Sequence, residues 1–319
     1  MRALACPARW SARQHRHIPL CVLPPRSTLH PVWGASVRWS SPNTALQLDR
    51  RFSHSLIKSA EHDAFVEHLK RQCPSKPARI FIIGLVGMFF KLSLKLFFNV
   101  KTFHKERLID MVSNRGERPL ITVANHSSTM DDPMLFSILP TSVLLGDPDK
   151  MRWSFGAKEV VFINDLIGKF FFAGNVYPIV RGNGIFQPAM DIAVDKVQNN
   201  QWVHLFSEAR INQEDEMDRF KWGVARLIME SKTPPVVVPF WHKGMVKVMP
   251  ESSRIRLPRP FKTLVLAYGE PIDFKDLLPK LQGKDLAETR SNITEYIRSK
   301  MIELQRQTEL QMKRDNIQA

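Results

Sequence analysis

A chain of 319 residues has room for one large domain or two small ones. Hydrophobic residues make up 44% and charged residues 24%, both close to globular averages, which excludes a disordered or collagen-like protein. Against 31 Asp and Glu stand 46 Lys and Arg, a net charge of +15, and that excess favours an anionic partner, either nucleic acid or a membrane surface. Cys6, Cys21 and Cys73 all lie in the first quarter, which excludes a disulfide framework or zinc cluster built from them.

Residues 1–48 contain no Asp, Glu or Lys but carry Arg2, Arg9, Arg13, Arg16, Arg26 and Arg38 among Ser, Pro and Trp. An Arg-rich, Ser-containing, acid-free start is the composition of a mitochondrial transit peptide; the alternative is a disordered basic tail. Six of the fifteen excess charges lie there, so the remainder is still basic. Residues 63–72 read as a short polar helix ahead of Pro74. Residues 80–90, IFIIGLVGMFF, are apolar or Gly, and Lys91 and Lys95 follow among further apolar residues. A spanning helix needs about 20 mostly apolar residues, and two lysines are costly at the bilayer centre. A monotopic helix fits better, with Phe81, Phe89 and Phe90 in the membrane and Lys91 and Lys95 reaching for headgroups; the alternative is a core helix. LIGKFFFA at 166–173, with Phe170 and Phe171, and the basic-apolar RIRLPRPFK at 254–262 are further membrane-facing candidates.

The remaining elements follow from local pattern. A turn is expected at 112–117 and a strand at 120–124. Asp132 before Pro133 reads as a helix cap, opening a helix at 134–139. Residues 160–173 read as one helix, with Gly174 where a C-terminal cap would sit. Strands are expected at 176–180, 202–206, 236–240 and 264–267, and helices at 190–197 and 220–229. A charged terminal helix at 288–310 carries Ile293, Ile297, Met301 and Leu304 on one face. Strands alternating with helices predict an α/β domain.

The chain lacks a G-x-S-x-G elbow, a Walker A loop and a G-x-G-x-x-G fingerprint, and no His pair has metal-ligand spacing. Residues 123–133 instead read VANHSSTMDDP. On a straight helix His126 and Asp131 would point about 140° apart, so they can meet only if the chain turns between them. A strand end, a Ser-Ser-Thr loop and a helix start supply that turn. The carboxylate can then hold one imidazole nitrogen and leave the other as a general base. No nucleophilic Ser or Cys accompanies the pair by motif, so the natural client is a substrate hydroxyl attacking an ester or thioester. Three blocks follow, each at a predicted strand. GNVYPIVR at 174–181 ends in Arg181, which can hold a phosphate in two-pronged fashion or be a solvated surface Arg. FSEARIN at 206–212 carries Glu208, which can organise that Arg or a substrate hydroxyl, or be a simple turn acid. VVVPFWH at 236–242 places Pro239 on an acyl-binding wall or on an edge strand.

In order and spacing these blocks resemble the glycerophospholipid acyltransferase superfamily, whose pattern is NHxxxxD, GxxxxxR, FPEG and an apolar strand with Pro. MRW at 151–153 and RFKWG at 219–223 bring the chain closer to the tafazzin family within it. The resemblance implies a mixed β-sheet flanked by helices, with an N-terminal membrane-associated helix. With the composition read above, it divides the chain into a targeting or disordered segment at 1–48, N-terminal helices with the anchoring helix at 49–100, and an acyltransferase domain at 101–319. It assigns His126 as base, Asp131 as its orienting partner, and Arg181, Glu208 and Gly174 to phosphate or headgroup binding. It implies CoA-independent acyl transfer between phospholipids and lysophospholipids, with no cofactor or metal. Its implied partners are cardiolipin, monolysocardiolipin, phosphatidylcholine and an anionic mitochondrial membrane facing the intermembrane space. The alternatives are a CoA-dependent lysophospholipid acyltransferase and a non-catalytic protein that binds membranes or nucleic acid. One departure stands out: the family's Pro-Glu-Gly is Ser207-Glu208-Ala209 here, and Ala adopts φ > 0 poorly.

Overall fold

The computed structural model describes residues 60–251 and 257–319. The expected targeting segment, with Cys6 and Cys21, lies outside the described residues, as do Arg254, Ile255 and Arg256 of the basic loop. In chain order the elements begin with α1 (Ala60–Arg71), α2 (Lys76–Phe97), β1 (Phe98–Phe103), α3 (Lys105–Asn114) and β2 (Leu120–Ala124). Next come α4 (Asp131–Phe136), α5 (Thr141–Leu144), β3 (Ser154–Ala157), α6 (Lys158–Val161), α7 (Asp165–Ala173) and β4 (Val176–Ile179). The second half holds α8 (Pro188–Gln198), β5 (Trp202–Phe206), α9 (Gly223–Met229), β6 (Val236–Lys243) and α10 (Met245–Val248). It ends with β7 (Lys262–Tyr268), β8 (Ile272–Asp273), α11 (Phe274–Leu277) and α12 (Leu286–Arg314).

A six-stranded sheet runs β1-β7-β6-β2-β5, with β8 beside β6. β2 is parallel to both β5 and β6, β1 is parallel to β7, and β6 meets β7 antiparallel, so the sheet is mixed as expected. Every residue of β2 is buried, as a strand covered on both faces must be. Its alternation divides two cores. Ile121 and Val123 face the core of α8, α9 and α12, where Ile293, Ile297 and Met301 are fully buried. Leu120 and Ala124 face the core that takes Ile83 of α2, Leu108 and Val112 of α3 and Phe136 of α4. A second, two-stranded parallel sheet, β3–β4, joins the first through a bridge between Trp153 and Val203.

Several local expectations need correction. Position 112 is not a turn, because α3 runs to Asn114, burying Leu108 and Val112 one turn apart. The helix expected over 160–173 is two helices. Asn164 caps the second by accepting the Ile167 N–H at 2.9 Å, so a polar residue inside the apolar run restarts the helix. Gly174 has φ −83°, and Asn175 takes the left-handed turn at φ 62°. Asp132 makes no cap bond; it sits inside α4 and pairs with Arg152. The helix expected from Phe220 begins at Gly223. Pro239 is on no edge. β6 is central, and Pro239 falls between the stretch paired with β8 and the stretch paired with β7, where a missing N–H breaks no ladder. Strand β1 runs across position 100, so the boundary expected there lies within a strand bonded along its length to β7.

Candidate active site

Three neighbouring strands end side by side: β2 at Ala124, β5 at Phe206, and β6 at Lys243. The carboxyl ends of strands in an open α/β sheet are where ligand crevices form. The loop leaving β2 carries His126, and its turn into α4 brings back Asp131. The His126 Nδ1 lies 2.9 Å from the Asp131 Oδ2. Asp131 is fully buried and its Oδ2 also accepts the backbone N–H of Ser127 at 2.7 Å and of Ser128 at 2.9 Å. The Ser-Ser part of the motif thus supplies two main-chain donors that hold the carboxylate against the imidazole. His126 stacks on Phe206 of β5, ring centroids 4.1 Å apart. With Nδ1 engaged, Nε2 is the nitrogen left to a substrate.

The loop after β5 clamps the main chain of His126 from both sides. Glu208 Oε1 accepts the His126 N–H at 3.3 Å, and the Asn212 N–H donates to the His126 carbonyl at 2.6 Å. Glu208 Oε2 accepts from the Asn212 side chain at 2.8 Å and from the Asp218 N–H at 3.0 Å. This buried acid therefore braces the His126 loop and does not organise Arg181. Ala209 sits at φ 57°. The turn that glycine suits is kept with alanine in it, at a cost of about 1–2 kcal/mol.

His126 opens on a groove of about 800 Å³, a common size for a small-molecule site. Its lining brings His126 together with Arg181, Gly174, Phe89, Phe90, Phe170 and Phe171. Asp131 and Glu208 stand behind the lining, and Phe81, Lys91 and Lys95 are not part of it. The rest is chiefly apolar and includes Ile82, Val86, Phe136, Leu144 and Val160. Arg181 is more than half exposed and pairs with Glu159 at 3.3 Å. Pro239 lines a different cleft of about 1050 Å³, between α12 and the loop after β7; the acyl-wall expectation fails because its ring packs on Gly269. That cleft is the larger, yet it holds none of the residues with acyl-transfer chemistry.

Helix α2 lies along the groove, and basic side chains near its start and in its second half tie it to the domain. Arg79 is buried and donates to Asn175 Oδ1 at 2.9 Å, to Asp149 at 2.7 Å and to the Pro148 carbonyl. The Lys91 ammonium donates to the carbonyls of Leu139 at 2.6 Å and Ser137 at 3.4 Å, instead of reaching outward; Lys95 is the exposed lysine. The opposite face leaves Phe81, Leu85, Met88, Phe89, Leu92 and Leu96 exposed, with Phe81 at 65% and Phe89 at 62%. Phe90 and Phe171 are half-buried, and Phe170 is exposed.

Sequence reasoning passed over three groups at this site. Arg152, within the noted MRW, is buried, pairs with Asp132 and lies over the Phe136 ring at 5.0 Å in the groove wall. Asn212 holds the His126 carbonyl, and Asn125 ties the residue before His126 to the His242 main chain. Asn125 directly precedes the histidine, which was a signal; the side-chain link of Asn212 to Glu208 spans a loop and left none. His204, beneath Phe206, is held neutral by burial first and then by the neighbouring Arg152.

The acyltransferase family pattern matches residues 79–243, which includes the His126 loop, the groove and β6. Tafazzin of Drosophila melanogaster is 35% identical over 232 residues, 72% of this chain and 61% of its own length. Taffazin of Dictyostelium discoideum is 36% identical over 222 residues, 68% of this chain and 76% of its own. N-acylphosphatidylethanolamine synthase of Arabidopsis thaliana is 36% identical over 199 residues, 60% of this chain and 70% of its own. The chain therefore spans less than two thirds of the fly relative.

Proposed function

The chain belongs to the acyltransferase family and, within it, to the tafazzins, and from its groove we propose that it moves acyl chains between phospholipids and lysophospholipids without CoA. The observation that carries this reading is the His126–Asp131 pair, 2.9 Å apart, at an apolar groove walled by an exposed apolar helix. His126 Nε2 takes the proton from the free hydroxyl of the lysolipid as that oxygen attacks the donor's ester carbonyl. Asp131 holds the tautomer and stabilises the imidazolium. As the tetrahedral centre collapses, the old ester bond breaks and the same proton returns to the leaving glycerol oxygen. One ester replaces another, so no activated donor is called for.

Arg181 and Gly174, which line the groove, receive the phosphate headgroup. The exposed face of α2, with Phe81, Phe89 and Lys95, and Phe170 of α7 lie in the plane of an anionic membrane, the lipid chains entering the groove sideways. Arg79 and Lys91 favour this monotopic setting, because they tie one face of α2 to the domain. The acid-free segment 1–48 directs the protein to mitochondria, where cardiolipin is the remodelled lipid and the intermembrane space is the working side.

The test is acyl exchange by the purified protein in liposomes, with labelled phosphatidylcholine and monolysocardiolipin, with and without acyl-CoA. Exchange without CoA, abolished by His126→Ala, is the expected outcome. Activity that needs acyl-CoA would make the protein a conventional lysophospholipid acyltransferase. With phosphatidylethanolamine added to the liposomes, a labelled amide formed on it would instead align the protein with the plant N-acylphosphatidylethanolamine synthase.

A further inference from the structure

The last apolar block ends in a histidine that the proposed chemistry does not use. His242 is 1% exposed, at the end of β6. Its Nε2 lies 2.8 Å from the Asn125 carbonyl and 3.5 Å from Asp131 Oδ2. A carbonyl can only accept, so Nε2 carries the proton and donates. The Asn125 side chain returns the grip: its Nδ2 donates to the His242 carbonyl at 3.0 Å, and its Oδ1 accepts the His242 N–H at 3.0 Å. The β2–β6 pairing ends at Ala124 and Phe240. Asn125 and His242 thus continue it by side chains, one residue short of the base. The His242 Nδ1 and the Asp131 Oδ1 are both buried with no hydrogen-bond partner among the described residues. Asp131 therefore has an imidazole on each side, of which only His126 lines the groove.

We propose that His242 is a positioning residue for acyl transfer: a neutral N–H donor that fixes the Asn125–His126 peptide and steadies Asp131, so that His126 meets the substrate hydroxyl in one orientation. Burial is the first cause that keeps this imidazole uncharged, with Asp131 opposing it. The charged and titratable groups that face it are Asp131, His126 and Glu208, with His204 and Arg152 one layer away. The inference rests on the acyl-transfer reading above.

The experiment compares His242→Gln, His242→Leu, His242→Asn and His126→Ala in the liposome exchange assay, together with thermal unfolding of each. Gln reaches the Asn125 carbonyl with an N–H; Leu offers none; Asn keeps the pocket polar but is too short. We expect Gln to stay within about threefold of wild type, and Leu and Asn to lose about 10²-fold in kcat with KM held within about twofold, as a misplaced base does. In Leu the acid limb of kcat/KM should move to higher pH. Removing a donor beside Asp131 leaves more of its charge to hold a proton on His126. A merely structural role would lower thermal stability without moving that limb. Leu and Asn at wild-type rates, Gln as impaired as Leu, or a loss that tracks unfolding with the limb unmoved would each overturn the inference. If His126→Ala still exchanges acyl chains, the acyl-transfer reading itself falls, whatever the His242 variants do.

Discussion

On one side of the groove His126 is held at its ring by Asp131 and Phe206 and at its main chain by Glu208 and Asn212, nearly all of them buried. On the other side Arg181 stands on an exposed turn after β4, between Ile179 and two glycines at φ 83° and 70°, and its partner Glu159 is equally exposed. The base must be in place before a substrate arrives, because misplacement costs rate. If Arg181 meets the headgroup as proposed, the phosphate can order it on arrival, since its exposed pair with Glu159 is weak. On the proposed reading, the His126 side sets kcat and the Arg181 side sets capture.

Asp131→Asn should do the most. The amide oxygen can still meet the His126, Ser127 and Ser128 donors that share Oδ2, but the charge that stabilises the imidazolium is gone and an NH2 takes the buried, unpartnered place of Oδ1; kcat should fall about 10²–10⁴-fold with KM little changed. Glu208→Gln comes next. One of its two acceptor oxygens becomes a donor facing other donors, so thermal or urea unfolding should show a loss of about 1–3 kcal/mol, with kcat falling in step. Arg181→Gln sharpens the contrast from the other side: KM for the lysolipid should rise about fivefold while kcat and stability hold, since an exposed, screened contact is lost. A fall in kcat without a change in KM would place Arg181 in the chemistry and end the distinction. Ala209→Gly should have the smallest effect. It relieves a left-handed alanine but adds freedom to the unfolded chain, a net gain of about 0.5–1 kcal/mol in unfolding measurements with activity unchanged.

The buried parallel strands were legible because their runs are unbroken: LITVA, WVHLF and VVVPF are strands as read. So was the inner face of α12, where Ile293, Ile297 and Met301 repeat at helical spacing and are fully buried. β1 was not legible. FNVKTF mixes polar and apolar residues because β1 is at the edge of the sheet, half-exposed. The restart of the helix at Asn164 was hidden inside an apolar run, since capping is a matter of geometry that composition does not record. At the site, the proximity of His126 and Asp131 could be argued from the turn that must lie between them. The clamp by Glu208 and Asn212, the pairing of Asp132 with Arg152 and the contact of His242 with Asn125 join residues 20 to 117 positions apart, or depend on how one loop curls, and no local pattern carries them.

The pairing of β1 with β7 bears on how the chain acquires its shape. Residues 98–103 bond to residues 262–267, so a strand made early waits for one made near the end. Closing a loop of that length is entropically slow, and contacts of such separation slow folding. Until β7 arrives, β1 has no neighbour in the sheet order and α2, joined directly to it, carries its exposed phenylalanines on an unfinished domain. A nascent chain is therefore expected to be most prone to aggregation just before its last fifth is available, and chains cut before residue 262 should be recovered in the insoluble fraction.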